Sequence, residues 1–470
     1  MMNIPGRTFG PRHRGPGSQP LGSRRGATPA GWALGLLCLA ILGLAALALL
    51  GAIPGCRPEA PPAPTPEAGP AGNLAPIVLQ GEESPLKLIS TEPELAFVER
   101  SEGLPDKGTW RGYPILRDLD GDGRPELVAS NREEDGFSVW TLVGGTRWET
   151  RNQGLPRTMS YGPCATADID GDGRPDLLVG DHALGLRAFH LAVDSEGSGA
   201  WTWSEHASAL EKPYLVMDFA VGNFDGDGSP DLAGIAHFNG GVCVYKGTGQ
   251  GLQLRPESLD ALPRGAFGRD VELGDLDLDG VDDLVVASSL GVRALLTRVR
   301  EPFAWEDLSS GLPAPRLGNS VYAVAIGRFV ADDPRPQIAA CIASDPTEPP
   351  ESLNTLGVYA WREKDRRWEQ IDRGLPRGEC CLDLRAADVN GDGHLDLLVM
   401  SIEGGRAFYI GDGQGGFRAH GRIAGQGKGR VAIGDIDGDG LPDVVISSPG
   451  QKAPRSEGRL QAFLNRRSLW

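Results

Sequence analysis

The sequence predicts an all-β fold: a seven-bladed β-propeller behind an N-terminal membrane segment and a proline-rich linker. Three observations predict it. An acidic decapeptide recurs about every 53 residues, an aromatic marker keeps the same period, and the stretches between them read as short strands bounded by glycine-rich turns. The 67 glycines and 37 prolines fit turn-rich β structure, and 40% hydrophobic residues suffice for a packed core.

The decapeptide reads DLDGDGRPEL from Asp118, DIDGDGRPDL from Asp168 and DIDGDGLPDV from Asp435. Related copies start at Asn223, Asp275 and Asp388, and a degenerate one, RFVADDPRPQI, begins at Arg328. The seven starts lie 50, 55, 52, 53, 60 and 47 residues apart. The second marker is an aromatic or large apolar residue a few positions before GLP or a relative of it. Phe97, Trp148, Trp203, Leu254, Trp305, Trp368 and Phe417 fill its seven slots.

Within a unit, a short run such as VYAVAIG (321–327) precedes the acidic loop, and an apolar run such as DLVVAS (283–288) follows it. A glycine-rich turn then leads to a third strand, such as GVCVY (241–245), and the aromatic marker forms a fourth. Four short strands per period of this length make a propeller blade. One marker strand precedes the first acidic loop and none follows the last. Residues 94–100 are therefore expected to be the outer strand of blade 7, beside strands near 430–435, 443–448 and 458–464, which removes an open sheet edge.

The first 94 residues read differently. Residues 1–31 are basic; Arg7, Arg12, Arg14, Arg24 and Arg25 give residues 1–55 a charge of +5 and leave −22 for 56–470. Residues 32–53 are apolar without interruption and, at ~1.5 Å rise per residue, would span about one bilayer core. The preceding arginines favour a cytoplasmic N-terminus. IPGC at 53–56 resembles a lipobox, with Cys56 as the lipidation candidate, although Pro54 stands where a small residue is usual. An uncleaved anchor, a lipoprotein and a secreted protein all remain open for 32–56, and each places the rest outside the cytoplasm, facing the periplasm or the cell exterior. Residues 57–94 form a proline-rich linker, followed by the propeller over 95–470.

Packed together, the carboxylates of the acidic loop repel, and a hard divalent cation reverses that. Calcium takes six to eight oxygens. Loop positions one, three, five and nine supply side-chain oxygens and position seven a carbonyl, while glycines at four and six permit the turn. The expected ligand sets are Asp118, Asp120, Asp122 and Glu126; Asp168, Asp170, Asp172 and Asp176; Asn223, Asp225, Asp227 and Asp231; Asp275, Asp277, Asp279 and Asp283; Asp388, Asn390, Asp392 and Asp396; and Asp435, Asp437, Asp439 and Asp443. That makes about six calcium sites, with the blade 5 loop expected to be empty. An EF-hand would close with a Glu at position twelve, where Ala129, Val179 and Ile446 stand here, so the ninth-position acid is expected to close the site.

DIDGDGRPDLLVG and NFDGDGSPDLAG resemble the FG-GAP/VCBS repeat, and the resemblance covers about 95–470. It implies the calcium-bearing seven-bladed propeller of integrin α subunits and many bacterial surface proteins. Calcium would sit between strands 1 and 2 of a blade, and ligands would meet the opposite face, made by the 4–1 and 2–3 loops.

No HExxH and no GxSxG elbow occurs. The acidic balance disfavours nucleic acid. Trp110, Tyr113, Tyr161, Tyr214, Phe267 and Tyr322 lie shortly before strand 1; they are candidates for the ligand face or for a cap on the central channel. His182 and His237 fall in 2–3 loops, as does the insertion at 344–354. Setting Cys56 aside, five cysteines remain in 95–470, and adjacent Cys380 and Cys381 could bridge each other or stay buried thiols. The expectation is a membrane-tethered calcium-binding propeller that binds a protein or glycan. The alternatives are a polysaccharide lyase on the same scaffold and a purely structural surface protein.

Overall fold

The computed structural model describes residues 95–466 apart from 111, 132–135, 158–161, 182–184, 195–198, 207–215, 237–240, 256–266, 300–303, 315–320, 343–355, 378–380, 402–404, 424–428 and 450–457. The expected membrane segment, Cys56 and the linker lie outside the described residues. Among the described residues there is no helix, hence none long and apolar enough to cross a membrane.

Four-stranded antiparallel sheets repeat seven times. Strand β1 (Ala96–Glu99) comes first in the chain. Blade 1 is β2 (Ile115–Arg117), β3 (Glu126–Ser130), β4 (Phe137–Val143) and β5 (Arg147–Thr150); blade 2 is β6 (Cys164–Ala167), β7 (Asp176–Asp181), β8 (Gly185–Val193) and β9 (Trp201–Glu205). Blade 3 is β10 (Val216–Gly222), β11 (Asp231–Ala236), β12 (Val242–Gly247) and β13 (Leu252–Arg255); blade 4 is β14 (Gly268–Gly274), β15 (Asp283–Ser288), β16 (Gly291–Val299) and β17 (Ala304–Asp307). Blade 5 is β18 (Val321–Gly327), β19 (Gln337–Ile342), β20 (Leu356–Arg362) and β21 (Arg367–Gln370); blade 6 is β22 (Cys381–Ala387), β23 (Asp396–Ser401), β24 (Arg406–Gly411) and β25 (Phe417–Arg422). Blade 7 is β26 (Arg430–Gly434), β27 (Asp443–Ser447) and β28 (Leu460–Arg466), completed by β1, whose Val98 pairs with Leu464.

The second strand of each blade is sandwiched between neighbouring blades. Strands β7, β11, β15 and β23 are accordingly buried along their whole length and read as apolar runs rather than alternating ones. Each core cluster joins two blades: Val128, Val139 and Leu119 of blade 1 pack with Leu177, Phe189 and Trp203 of blade 2. At the closure, Phe97 of β1 stacks on Phe408 of blade 6 with ring centroids 5.0 Å apart.

The aromatic marker proves to be a joint between blades. Trp148, Trp203 and Trp368 are buried on outer strands. Each donates its indole N–H to the preceding blade: to the Arg100 carbonyl at 2.7 Å, the Arg151 carbonyl at 2.7 Å and the Leu308 carbonyl at 2.9 Å. The backbone N–H groups of Trp148, Trp203 and Trp368 reach Glu102, Gln153 and Ser310 carbonyls, each at 2.8 Å. The glycine of GLP makes this approach possible. Gly154, at φ +94, lies so close to Trp203 that a Cβ there would stand 2.0 Å from the Trp203 carbonyl oxygen.

Around the axis, the position four residues before the end of strand 1 carries Tyr113, Pro163, Asp218, Asp270, Ala323, Asp383 and Arg430 in turn. The three aspartates lace blades together: Asp218 accepts the Val271 N–H at 3.2 Å, Asp270 that of Val324 at 2.9 Å and Asp383 that of Val431 at 2.7 Å. Burial raises the carboxyls of Asp218 and Asp383 above the usual range and takes Glu272 to about 7. Arg385 answers them, lying 3.4 Å from Asp383, 3.8 Å from Asp270 and 4.0 Å from Glu272. Tyr113 fills the space between Arg385 and Arg430, whose guanidinium carbons lie 5.0 and 4.3 Å from its ring centre. Its hydroxyl donates to the Arg269 carbonyl across the ring at 3.4 Å.

The cysteine expectation is corrected. Cys381 pairs with Cys341, not with its neighbour Cys380, and the bridge joins β19 of blade 5 to β22 of blade 6 with the Cα atoms 5.8 Å apart. Register places these two residues face to face across a blade interface, which the sequence separation of 40 conceals. Cys164 and Cys243 are buried free thiols, and Cys380 lies outside the described residues.

Candidate metal centres and the opposite face

Each acidic loop joins strands 1 and 2 of its blade, so all lie on one side of the ring. The first ligand position folds the loop on itself. Asp118 accepts the amides of Gly121 at 2.7 Å and Gly123 at 2.9 Å, and Asp168 and Asp435 do the same in blades 2 and 7. The ninth-position acid ties the loop to the sheet. One oxygen accepts the amide of loop position two: Glu126 from Leu119 at 2.9 Å, Asp176 from Ile169 at 3.1 Å, Asp231 from Phe224 at 2.7 Å, Asp283 from Leu276 at 2.8 Å, Asp396 from Val389 at 2.9 Å and Asp443 from Ile436 at 2.7 Å. In four blades the other oxygen accepts a strand 3 amide, from Gly247, Thr297, Gly411 or Asn465.

These six acids are buried among other carboxylates. Burial is the main cause that pushes Glu126 to about 8, Asp176 and Asp231 to about 6, and Asp283, Asp396 and Asp443 to about 7. A cation beside such a group favours its charged form and offsets the cost of burial. Donor atoms of Asp118, Asp120 and Asp122, of Asp275, Asp277 and Asp279, and of Asp435, Asp437 and Asp443 gather within 4.8 Å of one another. The buried Asp277 Oδ1 and Asp437 Oδ1 have no hydrogen-bond partner, so oxygens that suit a hard divalent cation stand unsatisfied there. These acidic clusters could hold metal ions.

Strand 3 supplies side chains that the sequence reading missed. Lys246 pairs with Asp225 and, at 3.3 Å, with Asp227; Arg298 pairs with Asp277; Arg466 pairs with Asp437 and, at 2.7 Å, with Asp439. Blade 2 instead brings two histidines. His190 lies against Asp170, Asp172 and Asp176, and His206 against Asp170. In blade 6, Asn390 donates to Asp392 at 3.0 Å, and no strand 3 cation is recorded against the described loop. Laying the third strands over one another in the repeat register would have exposed Lys246, Arg298, Arg466 and His190, but not His206, which follows a fourth strand.

The degenerate loop starts at Arg328 and is one residue longer than the others. Gly327 ends strand 1 and pairs with Gln337, as Gly222 pairs with Asp231 and Gly274 with Asp283. Phe329 is buried at position two, where Leu119 and Phe224 stand in blades 1 and 3, and packs 6.1 Å from Phe417 of blade 6. Gln337 takes the place of the closing acid, and its Oε1 accepts the Val330 amide at 2.9 Å. Asp333 accepts the Arg335 amide at 3.1 Å. With Arg328 and Val330 at positions one and three and Gln337 at the close, the turn persists without those three acids.

On the other side of the ring, Trp110 and Tyr113 are buried. Trp110 donates to the Lys107 carbonyl at 3.0 Å and packs edge-on against Trp140, while Tyr113 closes the axis. Phe267 is 38% exposed. Tyr161, Tyr214, His182, His237, the insertion at 344–354 and the side chain of Tyr322 lie outside the described residues. Where β4 begins and β5 ends, a cleft of about 530 Å³ is lined by Phe137, Thr150, Gln153, Leu155, Pro156 and Arg157, among others.

The FG-GAP-like repeat family model matches residues 118–179, 223–286 and 354–446. No curated protein matches the chain. Among solved structures, the fold is similar to BBS1N in its complex with ARL6DN, at 10% identity and a TM-score of 0.48, over 79% of this chain and 97% of that one. It is also similar to the exotype rhamnogalacturonan lyase YesX, at 14% identity and a TM-score of 0.40, over 78% of this chain and 75% of that one. A Bacillus licheniformis rhamnogalacturonan lyase gives 14% identity and a TM-score of 0.38 over the same shares. At these identities the likeness concerns the fold alone.

Proposed function

From the premise that the chain is an FG-GAP-repeat propeller, an interaction fold, we propose that it is a calcium-stapled binding module tethered to a membrane outside the cytoplasm. Its ligand is a protein or a glycan. The observation that carries this reading is the division of the ring into two sides. Every acidic loop lies at the 1–2 turns, so cations there brace the blades. The side of the 4–1 and 2–3 connections is left for recognition, and the cleft beside Gln153 and Arg157 opens there. A cation in each loop would satisfy the buried ninth-position acid, binding only the folded state and so stabilising it by mass action.

The test is capture of soluble glycans and proteins by the full chain, with calcium and with a chelator. Capture should require calcium, fall on substitution of Gln153 or Arg157 by alanine, and survive substitution of Arg124 on the loop side. Capture that is lost only through Arg124 would put the contact on the metal side and overturn the proposal. Shortening of a polysaccharide during incubation would make the protein a lyase instead.

A further inference from the structure

The blade 2 loop is unlike the others in the atoms that face it. Where blades 3, 4 and 7 present an ammonium or guanidinium, blade 2 presents imidazole nitrogens from two strands: His190 in β8, and His206 directly after β9. Lysine and arginine can only neutralise a carboxylate, whereas a neutral imidazole can bind a metal. We propose that this corner is a site for a borderline divalent ion of the zinc class, held by His190 Nδ1, His206 Nε2, Asp170 Oδ2 and Asp176 Oδ1.

Three of the six donor–donor edges fit, and His190 and His206 belong to two donor groups that share Asp170. His190 Nδ1 lies 3.3 Å from Asp176 Oδ1 and 3.5 Å from Asp170 Oδ2, and His206 Nε2 lies 3.5 Å from that same Asp170 oxygen. Bonds of ~2.0–2.1 Å in a tetrahedron give donor–donor edges of about 3.3–3.4 Å. One ligand atom from each of Asp170, Asp176 and His206 falls within 4.8 Å of the others.

The surroundings hold these donors in place. Asp176 is buried and fixed through Oδ2 to the Ile169 amide, which leaves Oδ1 on the His190 side. On the far side of the His190 ring, Nε2 lies 3.5 Å from Asp172 Oδ2, a carboxylate placed to orient the imidazole as second partners of metal-binding histidines do. Asp168 is not needed, because its oxygens already accept the amides of Gly171, Asp172 and Gly173. Two nitrogens and two oxygens favour zinc or cobalt over calcium, which takes oxygen.

The inference rests on the reading that the loops bind cations, but it differs in the metal and in the donor set. The full chain, stripped by chelator, is titrated with cobalt chloride and followed by its visible absorption. One equivalent should bind with the strong bands of four-coordinate cobalt, and zinc should bleach them. His190→Gln and His206→Gln should each weaken binding at least about tenfold and remove the bands. His190→Lys, which copies the side chain blade 3 carries there, preserves charge pairing to the loop and should fold while binding no cobalt. Cobalt bound without the bands, or with affinity unchanged in the histidine variants, would overturn the proposal. Calcium-dependent melting of the double histidine variant separates the two readings. A retained calcium shift with lost cobalt binding marks a distinct zinc-class site. Absence of any calcium shift in the unsubstituted protein, with cobalt binding intact, sinks only the calcium reading.

Discussion

Gly154→Ala tests whether the recurrent GLP segment is a joint between blades. The residue sits at φ +94, and a Cβ would meet the Trp203 carbonyl oxygen at 2.0 Å and its N and C atoms at 2.9 Å. Blade 2 would have to draw away by about 1 Å to restore ordinary contact, in an interior that tolerates little overpacking. That movement breaks two bonds, from the Trp203 amide to the Gln153 carbonyl and from the Trp203 indole to the Arg151 carbonyl. Two buried hydrogen bonds at about 1 kcal/mol each, with about 1–2 kcal/mol for left-handed backbone, give a loss of about 3–4 kcal/mol. Gly145→Ala is the control, since that glycine also has positive φ, +68, but nothing lies within 4 Å of its Cβ. It should lose only the backbone part, about 1–2 kcal/mol. Urea unfolding of both variants in calcium measures the difference. Equal losses would refute the joint, because the clash with Trp203 would then contribute nothing.

Other consequences are open to simple measurements. Without metal, the six ninth-position carboxyls hold protons more tightly folded, at about 6–8, than unfolded, near 4. Their protonation therefore stabilises the fold below about pH 4, and that stability is lost as pH rises through 6–8. Calorimetry should show the chelated protein melting lower at pH 8 than at pH 5, and a larger calcium shift at pH 8. Arg385→Gln strands Asp270, Glu272 and Asp383 at the axis and should cost about 3–5 kcal/mol at neutral pH, with part regained in acid as Glu272 and Asp383, both raised by burial, protonate. Cys341→Ser opens a bridge of sequence separation 40 and should cost about 2–4 kcal/mol. In the intact oxidised protein, Cys164 and Cys243, whose thiols burial pushes up, should react with a thiol reagent only on unfolding.

The ring was legible because two different signals kept one period. The order of those signals also placed Phe97 beside the last blade, since an outer strand came first and none came last. What stayed hidden depends on contacts that a linear period does not contain. Trp203 shows its buried ring through its spacing, but the carbonyl that receives its indole belongs to the preceding blade. Cys341 and Cys381 face each other only once blades 5 and 6 are side by side. His190 and Lys246 look like ordinary strand residues until register sets them against Asp176 and Asp231. The extra residue of the blade 5 loop stayed hidden because no acid marks its first, third or closing position; the pairing of Gly327 with Gln337 exposes it.

The seam in blade 7 bears on how the chain becomes a protein. Gln461 reaches Glu99 across 362 residues, and β1 has no other strand to pair with in the meantime. Closing a segment of that length costs about 5 kcal/mol of chain entropy, and none of it is recovered until β28 has been made. The first residues of the ring must therefore wait, unpaired, for nearly the last ones, while blades 1 to 6 can each form from neighbouring sequence. Assembly ends with a single late step, and loss of a few residues from β28 would undo the circle at both ends at once.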